Sequence, residues 1–145
     1  MVSMVTSNDQ PPPLEWVAAY RAAMVNDLIT FLRARLGELE QKAPDVHEGR
    51  CAAHHEQDRG YEYHPEWCDC GRPDRERAHI EAKRRIIEML TRYERAIQQG
   101  ESETARPSDS IPAAMYAARD GLDQVIRLHA AAHADHPDYR EEWRP

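Results

Sequence analysis

Phenylalanine occurs once in the 145 residues, and β-branched side chains are few. Strands draw on both kinds, so the composition speaks against an extended sheet. Ala, Leu, Arg and Glu take their place, and these favour helix. No apolar run approaches the roughly 20 residues needed to span a bilayer. The first residues lack the basic and apolar blocks of a signal peptide. A cytoplasmic protein without membrane attachment is therefore expected. Basic charge is short as well: the net charge is -7, so the surface as a whole does not attract nucleic acid. There is no Gly-rich phosphate loop and no Gly-x-Ser-x-Gly elbow. The deaminase pattern of His-x-Glu followed by Pro-Cys-x-x-Cys also fails, because Cys68-Asp69-Cys70 has the wrong spacing and α/β periodicity is missing. Cysteine is scarce and odd in number, at three. In a reducing compartment that argues against a disulfide framework and for metal binding.

What is present gathers in residues 47–70. All three cysteines fall here, Cys51, Cys68 and Cys70, with four of the eight histidines, His47, His54, His55 and His64. Cys51-Ala52-Ala53-His54 and Cys68-Asp69-Cys70 form two close pairs with thirteen residues between them. Thiolate and imidazole are zinc ligands, and a structural site needs four in a tetrahedron. Cys51, His54, Cys68 and Cys70 are the expected set, with His55, His64 and His47 in reserve. The intervening stretch holds Gly60, Tyr61, Tyr63 and Pro65 among charged residues. Such a loop costs more entropy to order than its burial returns, and a metal removes the difficulty by turning binding energy into folding energy. The bland alternative is a surface loop that happens to carry thiols. Cys68 or Cys70 beside His64 could also make a nucleophile, but closely spaced cysteines near histidines serve metal more often.

The chain length suits one domain with a real core. Residues 1–12 read as a flexible leader. Residues 13–145 read as a single all-α domain: a three-helix bundle with a zinc loop at 44–72 and a C-terminal tail packed back on the helices. The first helix, over residues 13–41, carries Val17, Met24, Leu28, Leu32, Leu36 and Leu39 as one apolar stripe. Trp16, Tyr20, Val25, Ile29 and Phe31 widen it, enough to cover more than one neighbour or to form a homodimer. Ala43-Pro44 stops it. The second helix starts near Pro73, with Asp74 and Glu76 against the positive end of its dipole. Ile80, Ile86, Ile87, Leu90, Tyr93 and Ile97 form its buried face, and Gly100 ends it. Lys83, Arg84 and Arg85 spread around the helix, so they read as a solvated, salt-bridged face and not as a phosphate stripe. Residues 101–109 are a polar linker. Asp109 or Ser110 caps a third helix, with Pro112 in its first turn; it carries Met115, Leu122, Val125, Ile126 and His129 and fades near Ala132. In the tail, Tyr139 and Trp143 are four apart, and one face of a short turn docks both.

A second histidine group, His129, His133 and His136, could hold a metal with Asp135 or Glu142 and activate water. It lacks the glutamate of the His-Glu-x-x-His pattern.

The Leu-rich run at residues 27–36, the run His79-Ile80-Glu81-Ala82-Lys83-Arg84-Arg85-Ile86-Ile87 and the tail at 134–145 together resemble an actinobacterial and actinophage domain-of-unknown-function family, number 6221. The resemblance implies such an origin but no activity. Many members carry His-Asp-Pro where this chain has Gly71-Arg72-Pro73, so any role of that histidine would be missing here or pass to a neighbour such as His79. The leading expectation is a small zinc-stabilised helical protein that binds another protein, such as a phage or host regulator. A metal-dependent hydrolase using the C-terminal histidines is the first alternative, and a nucleic-acid-binding protein the second.

Overall fold

The computed structural model describes residues 13–57, 60–103 and 111–145, without the side chains of residues 14, 55–57 and 60–62. The leader, the cap candidates Asp109 and Ser110, and the linker beyond Glu103 lie outside the described residues. Three long helices carry the fold: α1 (Leu14–Lys42), α2 (Arg72–Glu103) and α3 (Ala113–Ala131). Between α1 and α2 come a 3-10 turn (Ala43–Asp45), strands β1 (His54–Gln57) and β2 (Gly60–Tyr63), and a second 3-10 turn (Pro65–Trp67). A last 3-10 turn, Glu141–Trp143, sits in the tail. The all-α architecture with its Cys/His loop is thus the one expected. The antiparallel hairpin, pairing His54 with Tyr63 and Gln57 with Gly60, is an addition to it. None of the helices among the described residues is long and apolar enough to cross a membrane.

The core forms where the middle of α1 meets α2 and α3. Val25, Leu28, Ile29, Phe31, Leu32 and Leu36 pack against Ile80, Ile87 and Leu90 of α2 and Ile126 and Ala130 of α3. Each fully buried Leu or Ile contributes about 1.5–3 kcal/mol. The ends of the expected α1 stripe behave differently. Val17 and Leu39 are exposed, and Trp16 and Tyr20 are 68% and 63% exposed. The first turns of α1 stand off from α2, leaving a cleft of about 480 Å³ walled by Ala18, Ala22, Glu94 and Ile97.

Gly100 does not end α2, which runs to Glu103. A glycine inside a helix costs only about 1 kcal/mol, and local bonds hold the extra turn. Ser102 Oγ donates to the Gln99 carbonyl (2.8 Å), and Gln99 Nε2 donates to Glu103 Oε1 (2.9 Å). The glycine serves a close approach instead: a Cβ there would lie 2.8 Å from Ile111 Cγ1.

The tail closes over Phe31. His133, His136 and Tyr139 meet that ring edge-on, and Trp143 tilts against it with centroids 5.0 Å apart. Tyr139 and Trp143 therefore dock together, as their spacing suggested. Polar contacts fix the position. Arg127, buried on α3, bonds Asp123 Oδ2 (2.8 Å) and also the Glu142 carbonyl (3.0 Å). Arg140 pairs with Asp27 of α1 at 2.7 Å. Trp143 is 2% exposed, and its indole N–H is buried without a hydrogen-bond partner. Trp143→Ala is expected to cost about 3–5 kcal/mol in denaturant unfolding. Trp143→Phe should cost clearly less, because it keeps the ring and deletes an unsatisfied donor.

Candidate metal centre

The site is built from two jaws. The first follows α1. Beyond the 3-10 turn, the backbone N–H of Cys51 donates to the Glu48 carbonyl (2.9 Å) and that of His54 to the Cys51 carbonyl (3.0 Å). These turns carry the chain into β1. The second jaw follows β2, where the Cys68 N–H bonds the Pro65 carbonyl (3.2 Å). Gly71 then adopts φ +61°, a left-handed conformation open to glycine at little cost, and the chain turns from Cys70 into α2. Asp69 Oδ1 accepts the Ala52 N–H (2.9 Å), which joins the jaws and holds its carboxyl below the usual range. Arg75 of α2 joins them again, bonding the Cys70 carbonyl (3.1 Å) and Glu48 (3.0 Å).

Between the jaws, donor atoms of His47, Cys51, Cys68 and Cys70 all lie within 4.8 Å of one another. His47 Nδ1 is 3.4 Å from Cys51 Sγ and 3.8 Å from Cys70 Sγ, and Cys68 Sγ is 3.7 Å from Cys70 Sγ. Cys51 is buried, and the other three residues are half-buried. These four form a cluster that could hold a metal ion.

Three of the four residues expected from the spacing, Cys51, Cys68 and Cys70, come together. The imidazole among them is that of His47, one of the reserves. His54 opens β1 opposite Tyr63, and its ring tilts on Tyr63 and stands perpendicular to His47, with centroids 5.5 Å away in each case. It walls the cluster without joining it. His64 stacks on Trp67 at 3.9 Å, with its Nδ1 3.1 Å from Glu66 Oε1. The side chain of His55 lies outside the described residues. Tyr63 is a contributor that spacing did not reveal. Its hydroxyl lies 3.0 Å from His47 Nε2, from the Pro44 carbonyl and from Asp45 Oδ1. If the phenol donates to Asp45 or Pro44, its oxygen accepts from Nε2–H. That tautomer leaves the Nδ1 lone pair facing the three sulfurs. Burial first, then the Asp45 carboxylate, raises the phenol's pKa.

The two thiols of the second jaw differ. Backbone N–H groups of Glu48 and then Arg72 aim at Cys70 and lower its pKa to about 6. Desolvation, then the neighbouring Cys70 sulfur, raises that of Cys68.

At the C-terminal end, His129 and His133 line a small niche with Lys83, and His133 and His136 edge onto Phe31. No group of three metal-ligating side chains assembles there among the described residues. Two members of the basic run are salt-bridged as expected, Arg84 forking onto Glu40 (2.9 and 2.6 Å) and Arg85 pairing with Glu81 (3.2 Å), whereas Lys83 lines the niche.

The model of the family of unknown function DUF6221 matches residues 25–145, and the chain belongs to that family. No curated protein and no solved structure matches it.

In metal-free, reduced protein at pH 7, Cys70 is expected to be mostly thiolate and Cys68 mostly thiol. Brief iodoacetamide treatment with peptide mapping should label Cys70 first. That preference should fade as pH falls below about 6, where Cys70 takes up its proton.

Proposed function

We propose that this is a small helical protein whose α1–α2 connection is held by a structural zinc ion. His47 Nδ1 and the thiolates of Cys51, Cys68 and Cys70 are the ligands. The observation that carries this is the size of the cluster. Four ligands about 2.3 Å from a zinc ion stand about 3.8 Å apart along tetrahedral edges, less for a nitrogen–sulfur edge. Three of the six edges are 3.4, 3.7 and 3.8 Å, and all six lie within 4.8 Å. Three thiolates and one imidazole suit zinc better than the oxygen-seeking cations.

Such a set is closed and leaves no position for water, which weighs against hydrolysis at this centre. The biological role is protein binding, with the protein acting as a regulator in the cytoplasm of an actinobacterial or phage system. Trp16 and Tyr20, large and exposed on α1, support a docking surface.

Elemental mass spectrometry of untagged protein should find about one zinc per chain, with a large drop in melting temperature on chelation. Cys51→Ser and His47→Ala should lose the metal, whereas His54→Ala should keep it. Tyr63→Phe should retain the ion but bind it roughly 10–100-fold more weakly, as loss of an orienting partner to a ligating histidine does. Absence of bound metal would overturn the proposal. Loss of metal in His54→Ala with retention in His47→Ala would overturn the ligand set.

A further inference from the structure

We infer that Lys83, His129 and His133 form a binding site for one oxygen of a phosphate-type oxyanion, where α1, α2 and α3 meet. The niche lies between Leu32 and Leu36 of α1, Ile87 of α2 and the two histidines, with Lys83 at its side. Its volume is about 10 Å³, room for about one water-sized atom. An oxygen fits, and the rest of the anion stays outside. Apolar residues make the rest of the lining, and its polar groups are one ammonium and two imidazoles, with no carboxylate.

Charge pairing supports the choice of an anion. Arg84 and Arg85 each have a glutamate partner, but Lys83 has no hydrogen bond or ion pair among the described residues. Lys83 also adds its positive charge to both histidines. Burial, then Lys83, lowers the His129 pKa. His133 is lowered by burial, then by Lys83 and Arg35, with a small contribution from His136; Asp135 alone opposes them. At neutral pH both rings are thus uncharged, each offering one N–H donor.

Arg35 lies outside the niche's lining but acts on His133. It is 8% exposed and stacks on Phe31, the ring that His133 also touches. Its Nη2 pairs with Glu38 (2.8 Å), while Nε and Nη1 are buried without an acceptor. In a chain of net charge -7, this corner is under-neutralised. The pair His129 and His133, spaced as metal ligands on a helix, is directed by Lys83 toward an anion instead, because an ammonium repels a metal cation.

The site is independent of the Cys/His centre and can be tested in metal-loaded protein. Imidazole resonances would be followed by NMR at pH 7 while inorganic phosphate replaces chloride at constant ionic strength. Saturable shifts are expected at His129 and His133 and not at exposed His79. Phosphate should also raise the pKa of both, since an anion favours imidazolium. Lys83→Gln should weaken binding at least about tenfold, as loss of a charge-assisted contact does. Phenyl phosphate binding as well as phosphate would place the anion on a larger molecule; its exclusion would point to the free ion. No saturable shift, an equal response in Lys83→Gln, or a response to added zinc in place of phosphate would overturn the inference.

Discussion

Among its described side chains, the connection between α1 and α2 has almost nothing apolar to hide. From the end of α1 to Gly71, only Ala43, Cys51 and Ala53 of these are buried, while Tyr63 and Trp67 stand exposed. Fixing each backbone residue costs about 1–2 kcal/mol, far more than two alanines and a thiol return. Order here has to come from cross-links between side chains, and the structure supplies them in layers. Asp69 and Arg75 tie one jaw to the other, Tyr63 ties the hairpin to the end of α1, and four side-chain atoms that could hold a metal converge at the centre. A metal at that centre would complete a scheme that the hydrogen bonds only outline.

Helix α1 is the common support. Its C-terminal end delivers the first jaw, and Glu40 near that end is forked by Arg84 of α2. Its middle carries Phe31, over which the tail closes, and Asp27, to which Arg140 is fastened. The family match begins at Val25, where the buried stretch of α1 also begins. The exposed Trp16 and Tyr20 precede both. The buried stretch of α1 thus begins at Val25, and before it Met24 still packs on the core and Arg21 still pairs with Asp120 of α3 at 2.7 Å.

Much of this was legible in the chain. Helical periodicity located the three helices to within a few residues, because their buried faces recur every three or four positions. The tail's docking was legible in Tyr139 and Trp143, two bulky rings one turn apart. The choice of histidine was not. The spacing of Cys51 and His54 looks like a ligand pair, but their turn leads straight into β1, and strand pairing commits His54 to Tyr63. His47, four residues before Cys51, is brought back by backbone bonds of the turn and by the Tyr63 hydroxyl of β2, a partner that its spacing does not announce. The end of α2 was misjudged because Gly100 looks like a stop signal. Its missing Cβ is used for contact with Ile111, which lies across a gap in sequence that periodicity does not bridge.

The clasp of the tail on α1 also sets an order of events. Arg140 and Asp27 are 113 residues apart in the chain, and Trp143 is further still from the start of α1. A ribosome adding about 5–20 residues per second leaves α1 without its cover for on the order of ten seconds. During that interval Phe31 and its neighbours have neither α3 nor the tail to bury against. The newborn first helix is therefore exposed to misassociation until the tail, made 113 residues after Asp27, closes over it.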